Sequence, residues 1–259
     1  MKQINERSPL ARAMPLRVAG QSLDTEIDDV QYDHVLSPLF LALFMVIFAC
    51  FEWARFFFGI KPNPWVYTGG ALLACAYAAI RIKLVRRRLK QLRTGRDGER
   101  AVAQYLEWFR SAGFFVFHDI PNGDANVDHL LIGPKGVFTI ETKTLSKPQR
   151  GECRITVVDG VVRANGRPLD RDPMVQAKAQ AGWMRQFLNE SRFKAPVQPV
   201  VVFPGWFVEP FDMKQAGVWV LEVKAMEKFI DNEPTRLTRD EVKAMASAVG
   251  SYVRSQAKV

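Results

Sequence analysis

At 259 residues, the chain has room for one domain of about 150 residues plus accessory segments, and two full domains are not expected. The composition is that of a globular protein, with 48% hydrophobic and 24% charged residues, but the average hides two apolar blocks in the first third. The net charge of +9 is equally uneven: residues 81–96 hold eight Lys/Arg and no acid, while residues 97–259 net only +2. The basicity therefore reads first as membrane topology rather than as a DNA-binding face. Of the three cysteines, Cys50 and Cys75 lie in the apolar blocks and Cys153 stands alone, so neither a disulfide framework nor a zinc spacing is present.

Residues 1–33 are acidic and polar, with Asp24, Glu26, Asp28, Asp29 and Asp33, and are expected to be a disordered leader; no early signal peptide is visible. Residues 34–85 read as two transmembrane helices, about 35–58 and 65–85. The first contains VLSPLFLALFMVIFACF, 17 uncharged residues from Val35 to Phe51, with Trp53 and Phe56 to Phe58 beyond. A span needs about 20 residues at 1.5 Å each, so this run plus its aromatic flank suffices. Glu52 and Arg55, three apart, share a helical face and can pair. After the breaker GIKPNP, WVYTGGALLACAYAAI adds 16 uncharged residues, from Trp65 to Ile80, with Trp65 and Tyr67 as interfacial anchors. Arg81 and Lys83 can snorkel, and the triplet at Arg86, Arg87 and Arg88 stops the span. The alternative is that these runs are core helices of a soluble domain, since apolar stretches below about 18 residues are ambiguous. Tandem blocks, aromatic belts and a basic stop favour the membrane.

Residues 86–96 are a basic juxtamembrane linker, and the second span can continue through them as a helix. By the positive-inside rule this tract is cytoplasmic, and two spans put both termini there with the Lys61 loop outside; the expected location is a bacterial inner membrane. Residues 81–96 suit anionic lipid, or alternatively nucleic acid.

Residues 97–259 form the remaining domain. A helix is expected from about Asp97 to Ala112, then strands at 114–118, 127–132 and 137–143, the last two joined by Gly133-Pro134-Lys135-Gly136. Asp159-Gly160 signals a peripheral hairpin between 154–158 and 161–164. A helix over 174–189, buried strands at 197–203 and 217–223, and a last helix capped by Thr238 with Glu241 follow. The order describes an α/β fold: a mixed sheet flanked by helices.

Polar residues interrupt VDHLLIGPKGVFTIETK where the rest looks buried on both faces. Glu141 and Lys143 are two apart on a strand, so both leave one face. With a two-residue loop at Pro134-Lys135, Asp128 falls across from Glu141; a bulge at Gly136 would slip this pairing by one. Two adjacent carboxylates repel unless a cation sits between them, and an oxygen-only site suits Mg²⁺ or Mn²⁺. Such an ion could polarise a phosphodiester while Lys143 orients water or stabilises developing negative charge. A surface ion-pair cluster is the plainer explanation of an acid-x-Lys pair, but a doubly buried strand demands a reason for charge. Neither His118 nor His129 has a partner at zinc-ligand spacing, and His129 should point opposite to Asp128.

From Gly95 to about Pro204 the sequence resembles the nuclease-related domain, NERD, a branch of the PD-(D/E)xK nuclease superfamily. The matching stretches are GRDGERAVAQYL at 95–106, NVDHLLIGPKGVFTIETK at 126–143, DPMVQAKAQ at 172–180 and VVVFP at 200–204. The resemblance implies a restriction-endonuclease-like fold, Asp128 and Glu141 as metal-binding acids, Lys143 as the catalytic lysine, and Glu99 and Gln176 as accessory residues. Val127 stands where the superfamily name has proline, a position that shapes the chain rather than doing chemistry. The expected function is a membrane-anchored, Mg²⁺- or Mn²⁺-dependent nuclease acting on nucleic acid, in the first place DNA, with Arg150, Arg154, Arg163, Arg167 and Arg171 as a local basic patch. The alternative is a catalytically inactive NERD-fold binding or scaffold protein at the membrane.

Overall fold

A computed structural model describes residues 16–60, 63–123, 125–147 and 152–256. They fall into two compact units, residues 22–94 and residues 95–259 with the segment before Ser22. Lys61 and Arg150 lie outside the described residues.

The first unit is helical. Helix α1 (Gln21–Gln31) passes through a π turn (Tyr32–Leu36) into α2 (Ser37–Phe57), and α3 runs from Pro64 to Leu106. Small residues let the helices approach: Ala42, Ala74 and Ala78 form a buried seam, and a Cβ on Gly70 would come within 2.6 Å of Met45 Cε. The Trp53 indole donates to Thr68 Oγ1 at 3.0 Å, and Arg55 pairs with the buried Glu52 at 2.7 Å, as the spacing predicts. Two helical stretches, Gln21–Phe57 and Pro64–Arg110, are long and apolar enough to cross a membrane. Only 17% and 11% of their most apolar windows are buried, with Phe40, Phe44, Leu72 and Leu73 facing outward, which is unlike a soluble core helix.

Residues 21–31 correct the expectation of a disordered leader over 1–33. Ile27 and Val30 share a helical face and, with Val35, pack on Val85, Leu89 and Leu92. Glu26 meets Arg88 at 2.7 Å and Gln31 accepts from Arg93 at 3.2 Å, so opposite charge adds to the apolar stripe. Residues 86–96 are correspondingly not a linker but part of α3. That helix also absorbs the separate helix expected from Asp97, because RIKLVRRRLKQL contains no breaker.

In the second unit α3 ends in a 3₁₀ turn (Glu107–Arg110), and three strands follow: β1 (Phe115–Asn122), β2 (Ala125–Gly133) and β3 (Gly136–Thr142). The β4–β5 hairpin (Arg154–Val158, Val161–Ala164) precedes β6 (Arg167–Pro168) and α4 (Pro173–Glu190). Then come β7 (Val197–Val202), β8 (Phe207–Val208), α5 (Met213–Ala216), β9 (Trp219–Leu221), α6 (Met226–Asp231) and α7 (Arg239–Gln256). The main sheet has the order β1-β2-β3-β7-β9, antiparallel through β3 and parallel beyond it. The hairpin expected to be peripheral belongs to a second sheet, β6-β5-β4-β8. The chain is thus a mixed α/β protein whose sheets are flanked by helices, as expected.

Alternation along the strands splits the core. Leu130, Ile132 and Val137 pack with Met184 and Leu188 of α4 and Val249 of α7. Leu131, Phe138 and Ile140 pack with Val102 and Leu106 of α3 and Met226 and Ile230 of α6. Thr238 and Glu241 form the expected capping box: the Thr238 N–H donates to Glu241 at 2.8 Å and the Glu241 N–H to Thr238 Oγ1 at 3.3 Å.

Candidate active site

The β2–β3 register decides the geometry. Gly133 faces Gly136, Ile132 faces Val137 and His129 faces Ile140, which is the two-residue-loop pairing with Pro134-Lys135 at the tip. Gly136, at φ 135°, turns the chain where a side chain would be strained, and the ladder continues without a bulge. The same register brings Asp128 level with Glu141. Asp128 Oδ2 accepts the Thr142 N–H at 2.7 Å, just past the last paired residues.

Asp128, Glu141 and Lys143 share the face covered by α4. Lys143 Nζ lies 2.6 Å from Glu141 Oε1 and donates to Gln176 Oε1 at 2.9 Å. The other Glu141 oxygen accepts from Gln180 Nε2 at 2.6 Å, and the same nitrogen donates to the Asn126 carbonyl at 3.1 Å. Helix α4 delivers both glutamines because it starts cleanly: Asp172 caps Met174 N–H at 2.8 Å and Pro173 occupies the first turn. Gln176 and Gln180, four apart, then lie on one helical face. That i, i+4 spacing is the signal by which Gln180 could have been found from sequence.

Glu99 joins this group through charge. Its carboxyl is pushed up to about 8, first by burial and then by Asp119 and Glu141, with Lys143 and the Gly20 backbone N–H pulling the other way. Gly98 explains how α3 comes so near: a Cβ there would lie 1.6 Å from Thr144 Oγ1. Asp128 is held well above the ordinary carboxyl range by burial, then by Glu141 and Glu99, against the Thr142 hydrogen bond and Lys143. The structure thus brings together the five residues expected from sequence.

Asp119, Asn126 and Arg17 were not expected. Asp119 is fully buried at φ 50°, lies 3.3 Å from Arg17, and accepts from Asn126 Nδ2 at 3.1 Å. Nothing local in the sequence marks a positive φ there. The two histidines, which lack zinc-ligand spacing in the sequence, form a pair across β1 and β2: His118 Nδ1 and His129 Nδ1 are 2.9 Å apart, and His118 Nε2 reaches Glu107 at 3.3 Å. Burial is the first cause holding both imidazoles below their ordinary value, well below for His129. Of the basic patch, Arg154 is committed to Glu152 and Glu209, while Arg167 and Arg171 are exposed.

A divalent cation fits this donor set. Three carboxyl groups, those of Glu99, Asp128 and Glu141, influence one another beside the Lys143 ammonium, and Gln180 Oε1 is a buried oxygen without a hydrogen-bond partner among the described residues. All are hard oxygen donors, the type that Mg²⁺ and Mn²⁺ prefer. Among the described residues no three His, Cys, Asp or Glu side chains form a ready-made ligand shell. Two acids would therefore need backbone carbonyls or water to complete one.

The family model for NERD, nuclease-related domain, matches residues 94–204. No curated protein and no solved structure matches the chain.

Proposed function

Because the chain carries a nuclease-related domain over residues 94–204, we propose that it is a membrane-anchored, metal-dependent nuclease hydrolysing phosphodiester bonds, with DNA as the first substrate to test. The observation that supports this most is the convergence of Asp128, Glu141 and Lys143 on one face of the β2–β3 hairpin, two carboxyl groups beside one ammonium.

Asp128 and Glu141 would hold Mg²⁺ or Mn²⁺. When bound, the ion supplies Lewis-acid polarisation of the phosphate and a lowered pKa for water. Lys143, placed by Glu141 and Gln176, presents an ammonium to the charge that develops on the attacked phosphate. Gln180 holds the second oxygen of Glu141 and so fixes the plane of that carboxylate. Glu99 is protonated at neutral pH and can release or take up a proton beside the other acids. Gln176 positions Lys143 by accepting its hydrogen bond at 2.9 Å.

The exposed apolar faces of α2 and of the first part of α3 support a two-span anchor. The basic tract beside it supports a cytoplasmic placement of both termini and of the domain, at a bacterial inner membrane, with anionic lipid against residues 81–96. Retention in the membrane pellet after alkaline carbonate extraction checks the anchor.

The activity test uses the full chain in detergent or nanodiscs with plasmid and single-stranded DNA or RNA. Cleavage is expected with Mg²⁺ or Mn²⁺ and is abolished by chelator and by Lys143→Ala. Absence of cleavage together with absence of calorimetric Mn²⁺ binding would favour the second reading, a NERD-fold binding or scaffold protein. The observation on that side is the Glu141–Lys143–Gln180 network, which already engages both oxygens of Glu141.

A further inference from the structure

The domain has a second concave site, at the other end of the β2–β3 hairpin from the acids. A cavity of about 580 Å³ is lined by Phe114, Phe115, Pro134, Leu237 and Val242, with Arg110, Arg239 and Lys243 as its charged members. Six residues of strand separate Asp128 from Pro134, roughly 20 Å at about 3.4 Å each. This cavity therefore belongs to neither the carboxylates nor Lys143. Its wall is fixed: the Pro134 carbonyl accepts the N–H groups of Arg236 at 2.8 Å and Leu237 at 3.0 Å, pinning the start of α7 to the hairpin tip.

The charges here run against what helix stability alone would select. Arg239 and Lys243 are i and i+4 on α7, so two like charges share one face, and Arg239 stands in the first turn, where the helix dipole disfavours a cation. Neither has a hydrogen-bond or ion-pair partner among the described residues. No acid lines the cavity. Asp240 and Glu241 lie in the same first turn, but Glu241 is engaged by the cap at Thr238 and neither is a lining residue. Arg110 is spent on Glu107 and the Val116 carbonyl, leaving Arg239 and Lys243 to meet a ligand. The volume is that of a small-molecule site, and the apolar walls beside two free cations define its chemistry.

We propose that this cavity binds a small amphiphilic anion: a flat or short acyl apolar body carrying a phosphate monoester, held by Arg239 and Lys243 with its body against Phe114, Phe115, Leu237 and Val242. Such a ligand removes the like-charge repulsion on α7 and dehydrates the apolar wall. A nucleotide or a lipid phosphate could supply this chemistry. The proposal does not depend on the nuclease reading.

The test titrates the full chain in nanodiscs, without divalent metal, with 1-naphthyl phosphate, followed by ligand-observed NMR. Saturable binding is expected, weakened about ten-fold or more by Arg239→Glu with Lys243→Glu and unchanged by Lys143→Ala. 1-Naphthol and inorganic phosphate should each bind at least ten-fold more weakly, because each lacks half of the recognised group. Competition by deoxyadenosine monophosphate or by decyl phosphate identifies the source. Arg239 and Lys243 are exposed, so unaltered circular dichroism is expected for the double variant. Lys243→Gln alone, with a smaller loss, gives a second reading should the double variant misfold. No saturable binding, binding indifferent to both sets of variants, or equal binding of inorganic phosphate overturns the proposal.

Discussion

Asp128 and His129 are consecutive residues of one strand, and they meet burial in opposite ways. His129 faces the α3 side, loses its charge to burial, and is satisfied at Nδ1 by another imidazole 2.9 Å away. Asp128 faces α4 and stands with Glu141 and Glu99, so its negative charge is opposed both by burial and by like charge. Neutral pairing satisfies one ring nitrogen of His129 and leaves its Nε2 buried without a hydrogen-bond partner among the described residues. On the other face Asp128, Glu141 and Glu99 crowd one another beside Lys143, and the proposed site rests on that crowding.

The sharpest way to break the contrast is to remove the ammonium that pairs with Glu141. Lys143→Ala should lower metal-dependent cleavage on the order of 10²–10³-fold, the scale for losing one group that stabilises developing charge. Glu141 then loses its partner at 2.6 Å, so divalent-metal affinity should rise or hold while turnover falls. Calorimetry with Mn²⁺ beside a cleavage assay reads both, and a parallel loss of binding and turnover would show that Lys143 merely maintains the fold.

The next largest effect is steric. Gly98→Ala puts a methyl group 1.6 Å from Thr144 Oγ1, so α3 or the strand end must shift. Overpacking of this kind destabilises by about 1–3 kcal/mol. Thermal unfolding should show that loss, and Gly98→Ala with Thr144→Ala should recover part of it, since the double variant removes the nearest clashing atom.

How far the sequence disclosed these features follows from the range of the forces involved. The hairpin register was legible because Gly133-Pro134-Lys135-Gly136 admits few turns, and the turn type fixes every pairing behind it. Asp128, Glu141 and Lys143 were legible because a polar residue within a buried strand is costly. The His118–His129 pair needs the β1–β2 register, which is set by the tight turn that pairs Asn122 with Ala125; strands expected only over 114–118 and 127–132 stop short of that turn. Helix α1 was misread for a related reason: its acidic composition describes the exposed face, while Ile27 and Val30 find their partners some 55 residues away on α3. The second sheet was legible only as its β4–β5 hairpin, because the outer strands β6 and β8 are two residues each, too short to leave a period of alternation.

The histidine side can be tested at smaller scale. His129→Leu should destabilise the protein by about 1 kcal/mol near pH 7.5 by orphaning His118 Nδ1. Both imidazoles are depressed, so the native state binds fewer protons than the unfolded chain; the stability they contribute is full above about pH 6.5 and is lost as pH falls through the lower native values. His129→Leu should flatten that acid arm in thermal scans between pH 5 and 7.

The expected change at Glu99 is the mirror image of this and separates the two faces most cleanly. Glu99 is raised from 4.5 to about 8, so between these values the native protein holds a proton that the unfolded chain releases. Its contribution to stability is therefore present below about pH 4.5 and is lost as pH rises through about 8. Glu99→Gln keeps the shape, removes the ionisation, and should lessen the fall in melting temperature between pH 6 and 8.5 without touching the acid arm. Added Mg²⁺ should do the same to the native sequence, because a cation among the carboxylates favours their charged forms. If Mg²⁺ leaves the alkaline arm unchanged while Glu99→Gln flattens it, the acids repel one another without holding a metal. A flattening by both, with no further effect of Mg²⁺ on the variant, would tie the raised carboxyl to the same site the cation enters.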